Sequence, residues 1–397
     1  MSTRQIFFAS NGHGEDLIAC QIIKQLRQQI PSLTFQALPF TGEGQAFIAS
    51  KVPVLGPGRA MPSGGFARLG LKYLLRDVKA GLFSLFIKQI RILRNEGRKP
   101  DFVMVVGDTF LCTLCGLFTG KKIIFIPTAQ SIYIREFSWI DKWFIRHYTR
   151  AVFPRDEKTA YYLKAFGIPT IYLGNPMMDC LEITREDFGI AAEKVVGLLP
   201  GSREEAYDNF PSILEAVEEI GIAAQRGNYA LPAFIMAMAP SLKLERIKNI
   251  AQSAGWEFQK AQGEESEKGI LGFLIKPPVR VIISSKFGDV INRADAVIGL
   301  AGTANEQAVG LGKPVVAFPG KGPQMTLSFL KDQSKLLGGM VFIVPRERKM
   351  IAQKMFSILN DPAIGVTTRQ IGYERMGSSG AAKRISSYIA ENIFLAL

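Results

Sequence analysis

The sequence predicts an α/β protein of two domains, each built on a mainly parallel sheet, and three observations carry this prediction. The chain has 397 residues, which is too long for one ordinary hydrophobic core and suits two domains. Short apolar runs alternate with helical patterns along the chain, as in consecutive βαβ units. Glycine-rich turns follow several of these runs, at the edge where open α/β sheets bind ligands.

The first series of apolar runs lies in residues 1–180, which we assign to the first domain. Helical patterns at 16–29, 69–95 and 157–166 separate these runs. A polar segment at 182–193 is typical of a linker to the next domain. The runs predict six strands, at residues 5–10, 33–38, 102–106, 123–126, 151–153 and 170–173.

The second series lies in residues 181–377, with helical patterns at 209–224, 245–254 and 349–360 and an acidic loop at 263–268. Residues 378–397 predict a helix, for which packing on the first domain is one option. We expect two Rossmann-like domains that face each other across a cleft, with ligands at the carboxyl ends of the strands. The second series predicts strands at 194–199, 233–237, 279–283, 296–298, 314–318 and 341–344.

Composition narrows the class of protein. Hydrophobic residues make up 47% of the chain and charged residues 21%, which suits a globular fold. Uncharged stretches, such as 109–120, are shorter than the roughly 20 residues of a membrane span. No signal-peptide pattern is visible at the first residues. We therefore expect a cytoplasmic protein, either soluble or peripheral to the inner face of the membrane.

The cysteines and histidines argue against a metal centre. Cys112 and Cys115 form a C-x-x-C pair, but a zinc site normally needs four ligands, and no second pair lies nearby. The only histidines are His13 and His147. Both cysteines stand among apolar residues, so we interpret them as buried side chains of a helix. We expect no metal and no organic cofactor.

The net charge of +13 is concentrated in one region: residues 51–100 hold eleven basic and two acidic side chains. A helix that is basic on one side and rich in Leu and Phe on the other can lie in a membrane interface. The alternative is a core helix with a solvated basic face. Nucleic-acid motifs and interleaved stacking aromatics are absent from the sequence, so we expect no nucleic-acid partner. The residues predicted to face the membrane are Arg68, Lys72, Arg76, Lys79, Phe83 and Phe86.

The first glycine loop follows the first predicted strand and opens a helix. Gly12 and Gly14 let the backbone approach a ligand closely, and His13 and Asp16 are expected to project into the cleft. The alternative is that Asp16 caps the helix and His13 is a turn residue. We assign Gly12, Gly14 and Asp16 to substrate binding.

Two further loops predict a nucleotide-sugar site in the second domain. Gly201, Ser202 and Arg203 follow a strand, where free N–H groups and a planar guanidinium suit a diphosphate. The other loop opens a helix, whose N-terminus attracts anions, while Glu306 is placed to accept bonds from ribose hydroxyls. Gln324 is a candidate contact to the donor sugar. The alternatives are a surface turn with a solvated arginine at 203, an acid that stabilises the first turn of the helix at 306, and an ordinary loop residue at 324. The residues assigned from that other loop are Gly302, Thr303, Ala304, Asn305 and Glu306.

The order of these motifs resembles that of lipid-A-disaccharide synthase and its relatives, glycosyltransferases of the GT-B fold. The segment 198–203 is similar to that family's Leu-Pro-Gly-Ser-Arg signature, and 301–304 resembles its Ser-Gly-Thr-Ala turn. Residues 172–176 resemble its Val-Gly-His-Pro segment, with Asn175 in place of the histidine. The segment 306–308 is closer to the Glu-Glu-Ala of UDP-N-acetylglucosamine 2-epimerases.

The resemblance implies an inverting, metal-independent transferase that moves a sugar, of N-acetylglucosamine type, from a UDP-sugar to a lipid or lipid-linked acceptor. Such a transfer needs a base for the acceptor hydroxyl. We assign it to Asp108, by resemblance and by its place after a strand, with His13 second because imidazole titrates near neutral pH. Asp108 as a simple helix cap is the alternative. The competing functions are a UDP-sugar 2-epimerase and a non-catalytic nucleotide-sugar binder; the sequence sets no oligomeric state.

Overall fold

The computed structural model describes residues 4–56, 82–227 and 229–394, with the side chains of 82–84 left out. The chain divides into two compact units. The first comprises Met1–Cys180 and Gly377–Leu397, and the second comprises Leu181–Met376. Among the described residues, no helix is long and apolar enough to cross a membrane.

The first unit is built on five parallel strands, in the order β2-β1-β3-β4-β5. Every residue of β3 and β4 is buried, as expected for central parallel strands that helices cover on both faces. The strands are β1 (Gln5–Ser10), β2 (Thr34–Pro39), β3 (Phe102–Gly107), β4 (Ile123–Pro127) and β5 (Thr149–Val152). The helices are α1 (His13–Gln29), α2 (Gln45–Ala49), α3 (Leu82–Asn95), α4 (Thr109–Thr119), α5 (Trp139–Tyr148) and α6 (Glu157–Ala165).

The strand predicted at 170–173 is wrong. Thr170 makes only an isolated bridge with Val152, whose N–H bonds to Pro169 and whose carbonyl accepts from Ile171. The chain then turns at Gly174, where φ is +97°, and enters a 3₁₀ helix at Pro176–Cys180. The pairing therefore ends before a strand can form.

The second unit contains an eight-stranded sheet in the order β13-β12-β11-β6-β7-β10-β9-β8. The six strands from β13 to β10 are parallel, and the hairpin of β8 and β9 extends them in antiparallel fashion. The strands are β6 (Val195–Leu199), β7 (Ala233–Ala237), β8 (Glu257–Lys260), β9 (Ile270–Lys276), β10 (Val279–Ser284), β11 (Ala296–Gly299), β12 (Val315–Ala317) and β13 (Val341–Ile343).

The helices of this unit lie between the strands, and a short 3₁₀ turn, Pro323–Met325, precedes the helix Leu327–Leu336. The segment 263–268, predicted as a loop, contains the one-turn helix α9. The helices are α7 (Glu205–Gly227), α8 (Leu244–Ser253), α9 (Glu264–Glu267), α10 (Phe287–Arg293), α11 (Thr303–Gly310), α12 (Leu327–Leu336), α13 (Arg348–Leu359) and α14 (Pro362–Met376).

The segment 182–193, predicted as a linker, belongs to the second unit. The buried carboxylate of Asp289 accepts hydrogen bonds from the N–H and hydroxyl of Thr184 and from the N–H of Arg185, each at 2.7 Å. Phe188 is only 4% exposed. The polar sequence therefore serves to satisfy a buried aspartate and not to separate two domains.

The last described segment returns to the first unit as α15 (Ala381–Ile389), followed by a π-helical turn at Ala390–Phe394. Asp179 accepts hydrogen bonds from the N–H groups of Gly380 and Ala382 and so caps α15. The hydroxyl of Ser386 donates to the carbonyl of Ile22 in α1 at 3.3 Å. The ring of Phe394 packs on Phe102, with ring centroids 4.5 Å apart.

Cys112 and Cys115 lie on the buried side of α4, within the core of the first unit. Burial raises the pKa of both thiols well above their usual value. Both residues are free, and both act as small apolar side chains. The interpretation of the C-x-x-C pair as structural is therefore confirmed.

Candidate functional site

The carboxyl ends of β1 and β3 meet at one edge of the first sheet, and Asn11 joins them. Its side-chain oxygen accepts a hydrogen bond from the N–H of Asp108 at 2.7 Å. A Cβ at Gly107 would lie 1.7 Å from that same oxygen, so only glycine leaves room for this bond. The first glycine loop and the Asp108 loop are thus held together by one amide.

Asp108 is the N-cap of α4, because its Oδ1 accepts from the N–H of Leu111 at 2.9 Å. The side chain is half-buried at the carboxyl edge of β3. The capping role that the sequence left as an alternative is therefore present. The cap fixes the direction of the carboxylate at this edge, which is a geometric requirement for a general base.

Asp16 is buried and contacts the last residue of β1, and its assignment to substrate binding stays a prediction. The helix α1 begins at His13, so Asp16 lies within its first turns and faces the sheet. The carboxyl is 1% exposed, and its Oδ1 accepts from the hydroxyl of Ser10 at 2.5 Å. Burial raises the pKa of Asp16 to about 7, with a smaller contribution from Glu15, while the Ser10 bond opposes the shift.

His13 and the two glycines lie at the start of α1. His13 is exposed, and Gly14 is in the first helical turn. Gly12 is the N-cap, in an extended conformation that any residue can adopt. A Cβ at Gly12 would lie 3.1 Å from the hydroxyl oxygen of Thr41, so close packing, and not a special backbone angle, favours glycine here.

Three polar residues at the same edge were missed by the sequence analysis. The hydroxyl of Thr128, at the end of β4, donates to Glu15 at 3.2 Å. The carbonyl of Thr128 accepts from the buried guanidinium of Arg155 at 3.0 Å. Glu15 belongs to the glycine loop, and Arg155 follows β5, so a search of every strand end for charged residues could have found both.

In the second unit, the two predicted donor loops lie side by side because β6 and β11 are neighbours in the sheet. The N–H of Leu300 donates to the carbonyl of Leu199 at 2.8 Å. Gly201 has φ +106°, and a Cβ there would lie 3.0 Å from the Leu300 carbonyl oxygen. The turn after β6 therefore needs glycine both for its angle and for its close approach.

Two buried side-chain amides form hydrogen bonds to the turn at 300–302 and to the residue before it. Asn305 is 0% exposed, and its Nδ2 donates to the Gly299 carbonyl at 3.1 Å and to the Gln333 side chain at 3.0 Å. The Gln333 amide donates to the carbonyls of Ala301 at 3.3 Å and Gly302 at 2.9 Å. We call Asn305 and Gln333 the amide clamp. Asn305 thus supports the turn, and its assignment as a nucleotide contact stays a prediction.

A third loop meets the same edge after β12. A Cβ at Gly302 would lie 2.7 Å from the side-chain nitrogen of Gln324, so Gln324 lies directly over the glycine turn. Asn209 holds this loop, since its side chain accepts from the Lys321 N–H at 2.8 Å and donates to the Lys321 carbonyl at 2.9 Å. Asn209 and Gln333 are the residues of this edge that sequence reasoning missed.

The remaining predicted donor residues border these turns. Ser202 is exposed, and its carbonyl accepts from the hydroxyl of Ser241 at 2.5 Å. Arg203 and Glu306 are half-buried, the first just before α7 and the second in the first turn of α11. Gly302 is the N-cap of α11, which begins at Thr303 and continues with Ala304. The turn that carries Gly201 and the loop that carries Gln324 thus both lie beside the start of α11, where the first N–H groups of a helix have no partner within the helix.

Most residues predicted to face a membrane lie outside the described residues: Arg68, Lys72, Arg76 and Lys79, together with the side chain of Phe83. Phe86 is described and is half-buried. Its ring stacks on Phe110 at 6.3 Å and packs against the core of the first unit. Phe86 is therefore partly covered by other side chains, and its assignment to the membrane face stays a prediction.

The two units, each with loops of this kind at the carboxyl edge of a parallel sheet, define the GT-B type of fold. Among the residues that the structure describes, no cluster of His, Cys, Asp and Glu could hold a metal ion. No family model matches the chain.

Curated relatives named lipid-A-disaccharide synthase are similar to the chain in sequence. The protein from Solibacter usitatus is 29% identical over 317 residues, which cover 76% of this chain and 71% of that protein. The protein from Azoarcus sp. is 26% identical over 327 residues, covering 80% and 73%. The resemblance to lipid-A-disaccharide synthases is therefore confirmed.

Solved structures show the same fold at low sequence identity. The UDP-N-acetylglucosamine 2-epimerase of Neisseria meningitidis, bound to UDP-N-acetylglucosamine, has a TM-score of 0.54 at 16% identity and covers 98% of this chain and 100% of its own. MurG of Acinetobacter baumannii has a TM-score of 0.55 at 12% identity, covering 98% and 99%. The MnaA–UDP structure of S. aureus has a TM-score of 0.58 at 14% identity, covering 99% and 97%. Fold and sequence relatives together support a glycosyltransferase, the predicted class of enzyme.

Proposed function

We propose that this chain is an inverting, metal-independent glycosyltransferase that moves a sugar, of N-acetylglucosamine type, from a UDP-sugar to a lipid or lipid-linked acceptor at the inner face of the membrane. The observation that carries the proposal is the meeting of three loops at one edge of the second sheet. They bring Gly201, the N-terminus of α11 and Gln324 together. This edge suits a nucleotide diphosphate bound to a sugar.

In the proposed donor site, a positive charge and backbone N–H groups bind the diphosphate. The N–H groups at the start of α11 and the guanidinium of Arg203 would take the diphosphate, whose negative charge grows as the glycosidic bond breaks. Glu306, one turn into α11, would accept from the ribose hydroxyls, and Gln324 would contact the sugar. In this scheme no metal is needed for the departing UDP, and no cofactor takes part.

The acceptor side requires a base at the carboxyl edge of the first sheet. Asp108 is our first assignment, because its carboxylate is fixed there by the cap to Leu111. His13 is the second, because it is exposed at the start of α1. The lipid nature of the acceptor is supported by the names of the curated relatives and by the basic segment at 51–100.

Donor binding is tested by thermal unfolding with UDP, UDP-N-acetylglucosamine and other nucleotide sugars. A ligand at about 100 times its Kd stabilises the folded protein by roughly 2.7 kcal/mol. Arg203→Ala and Glu306→Ala should lose this shift, whereas Arg348→Ala, which removes a 55% exposed arginine paired with Glu219, should keep it. If no nucleotide stabilises the wild type, the proposed donor site is wrong.

The base is tested by Asp108→Asn, which separates catalysis from capping. Asparagine is as good an N-cap as aspartate, so the melting temperature should hold. Loss of the base should lower kcat by roughly 10²–10⁴. If activity persists in Asp108→Asn and falls in His13→Gln, the base is the histidine.

A second candidate is a UDP-sugar 2-epimerase, favoured by the fold of the Neisseria meningitidis enzyme and by the segment Glu306 to Ala308. The two functions differ in their products. An epimerase converts UDP-N-acetylglucosamine without any acceptor, whereas a transferase releases UDP only when the acceptor is present. Analysis of the reaction with and without lipid extract decides between them.

A further inference from the structure

One helix of the first unit carries two of the three tryptophans of the chain at its surface. Trp139 is 74% exposed and Trp143 is 52% exposed, whereas Trp256 in the second unit is buried at 3%. Ile140, between them, is 46% exposed. Large apolar side chains clustered in this way on a surface mark a site of interaction.

We propose that this outer face of α5, formed by Trp139, Ile140, Trp143, Arg146 and His147, is a docking surface for an anionic lipid bilayer. We call it the tryptophan face. The inference rests on the proposed lipid acceptor and names the part of the protein that meets the membrane. It concerns a different helix from the basic segment 51–100.

The tryptophan face is preformed by the helix itself. At about 100° per residue its five members fall within one arc, and the fully buried Ile145 lies on the opposite side. Ser138 and Asp141 form a capping box at the start of α5, with the Asp141 N–H donating to the Ser138 hydroxyl oxygen at 3.0 Å. The exposure of Trp139 therefore belongs to an intact first turn and not to a frayed end.

Cations border the apolar side chains. Arg146, His147 and Trp143, with Lys122 from the start of β4, line a cavity of about 300 Å³ that suits a headgroup. The rings of Trp143 and His147 stack at 5.1 Å, nearly parallel. The Lys122 ammonium donates to the carbonyl of His147, which holds this charge beside the helix end.

The charge of the surrounding helices complements an anionic surface. The neighbouring helices α3, α4 and α5 together carry five Lys and Arg and a single acidic residue, Asp141, which the capping box engages. Two further apolar side chains are exposed on α4, Phe110 at 46% and Leu117 at 54%. Tryptophan favours the water–bilayer interface, and each basic residue near an anionic leaflet adds about 1 kcal/mol of attraction.

The place of α5 in the chain suits a lipid-borne acceptor. The helix follows the loop 128–138, which leaves the carboxyl end of β4 where Thr128 bonds to Glu15. Asp108 lies at the same edge of the sheet, at the end of β3. The start of α5, with Trp139 and Ile140, therefore lies on the side of the sheet that carries the proposed base, whereas the cavity at Lys122 lies by the other end of the helix.

The test uses the intrinsic fluorescence of the full chain with vesicles of phosphatidylcholine, with and without phosphatidylglycerol. Because Trp256 is buried, a blue shift on adding vesicles reports Trp139 and Trp143. We expect the shift with anionic vesicles and quenching by brominated lipids. Trp139→Ser with Trp143→Ser should weaken sedimentation with anionic vesicles by about tenfold or more, while Tyr373→Ser, which removes a 69% exposed aromatic of the second unit, should bind as the wild type does.

Arg146→Gln should weaken binding to anionic vesicles only, and added salt should reduce the difference. Unchanged sedimentation of the double tryptophan variant, or no blue shift in the wild type, overturns the proposal. A dimer that dissociates in the double variant, or capture of a protein partner in place of vesicles, also overturns it by giving the face another occupant. UDP-dependent stabilisation and turnover of a detergent-dispersed acceptor should persist in the double variant, so failure of docking and failure of the proposed transferase are distinguishable.

Discussion

The amide clamp allows a sharp test of how the donor loop is held. Gln333→Leu keeps the size of a side chain that is 3% exposed. It removes the hydrogen bond that Gln333 donates to the Gly302 carbonyl at 2.9 Å and the longer one that it donates to the Ala301 carbonyl. It also removes the hydrogen bond that Gln333 accepts from Asn305 at 3.0 Å. A hydrogen bond contributes roughly 1 kcal/mol net, and a buried polar group left unsatisfied costs roughly 1–3 kcal/mol. The Gly302 carbonyl still accepts from the N–H of Asn305.

Adding these terms, we expect the second unit to lose about 3 kcal/mol of unfolding free energy, mostly through one buried proton of Asn305 that has no acceptor. The turn at 300–302 would also loosen. Because this turn forms part of the proposed diphosphate site, we expect the Kd for UDP to rise about tenfold, equivalent to about 1.4 kcal/mol. Hydrogen exchange of residues 299–306, urea unfolding and UDP titration measure the three effects separately.

Gln89→Leu is the matched control. Gln89 is 4% exposed and donates to the Phe40 carbonyl at 2.7 Å in the first unit. This variant should lose stability without any change in UDP affinity. An unchanged Kd for UDP in a Gln333→Leu protein that has been destabilised would refute the link between the clamp and the donor site.

Three other perturbations follow from the described contacts. The raised pKa of Asp16 gives the folded protein stability that is fully present below the unfolded value of 3.8 and is lost as the pH rises through about 7. Asp16→Asn should therefore gain stability relative to the wild type between about pH 4 and 7, by up to about 1.4 kcal/mol per pH unit, and the difference should level off above pH 7. Equal pH profiles of the two proteins in urea unfolding would contradict this. Gly201→Ala, at φ +106°, should lower UDP affinity and stability, whereas Gly263→Ala, at φ +53° with open space, should lower stability alone. Cys112 and Cys115, buried with raised thiol pKa, should react with DTNB only after denaturation; rapid labelling of both in the native protein, located by mass spectrometry, would exclude the core packing.

Apolar runs flanked by glycine turns were enough to predict the parallel strands, because buried strands leave an unambiguous pattern. The run 5–10 coincides with β1, and 233–237 coincides with β7. β9 (Ile270–Lys276) is an apolar run that the sequence analysis missed. β8 (Glu257–Lys260) escaped prediction because it is a polar edge strand, with most of its side chains in solvent. β8 forms only by pairing with β9, a contact that its own polar sequence does not indicate.

At the candidate site, the glycine positions were predictable and the polar support was not. The requirement at Gly201 follows from local backbone geometry, which a turn motif reveals. Gln333 acts on a turn about thirty residues earlier in the chain, so its role depends on the packing of α12. The burial of Asp16 and Asn305 was not predictable for a similar reason: a polar residue in a glycine loop can face inward, and the position at which the helix starts decides where its side chain points.

The return of α15 to the first unit has a consequence for synthesis on the ribosome. The first sheet is complete in sequence by Val152, yet α1 is covered by α15, and Arg4 donates to the carbonyl of Phe394 at 2.5 Å. Translation must therefore pass through the whole second unit before the first can bury α1. During that interval the nascent first unit exposes an apolar surface that chaperones can bind, whereas the continuous segment Leu181–Met376 can fold as it emerges.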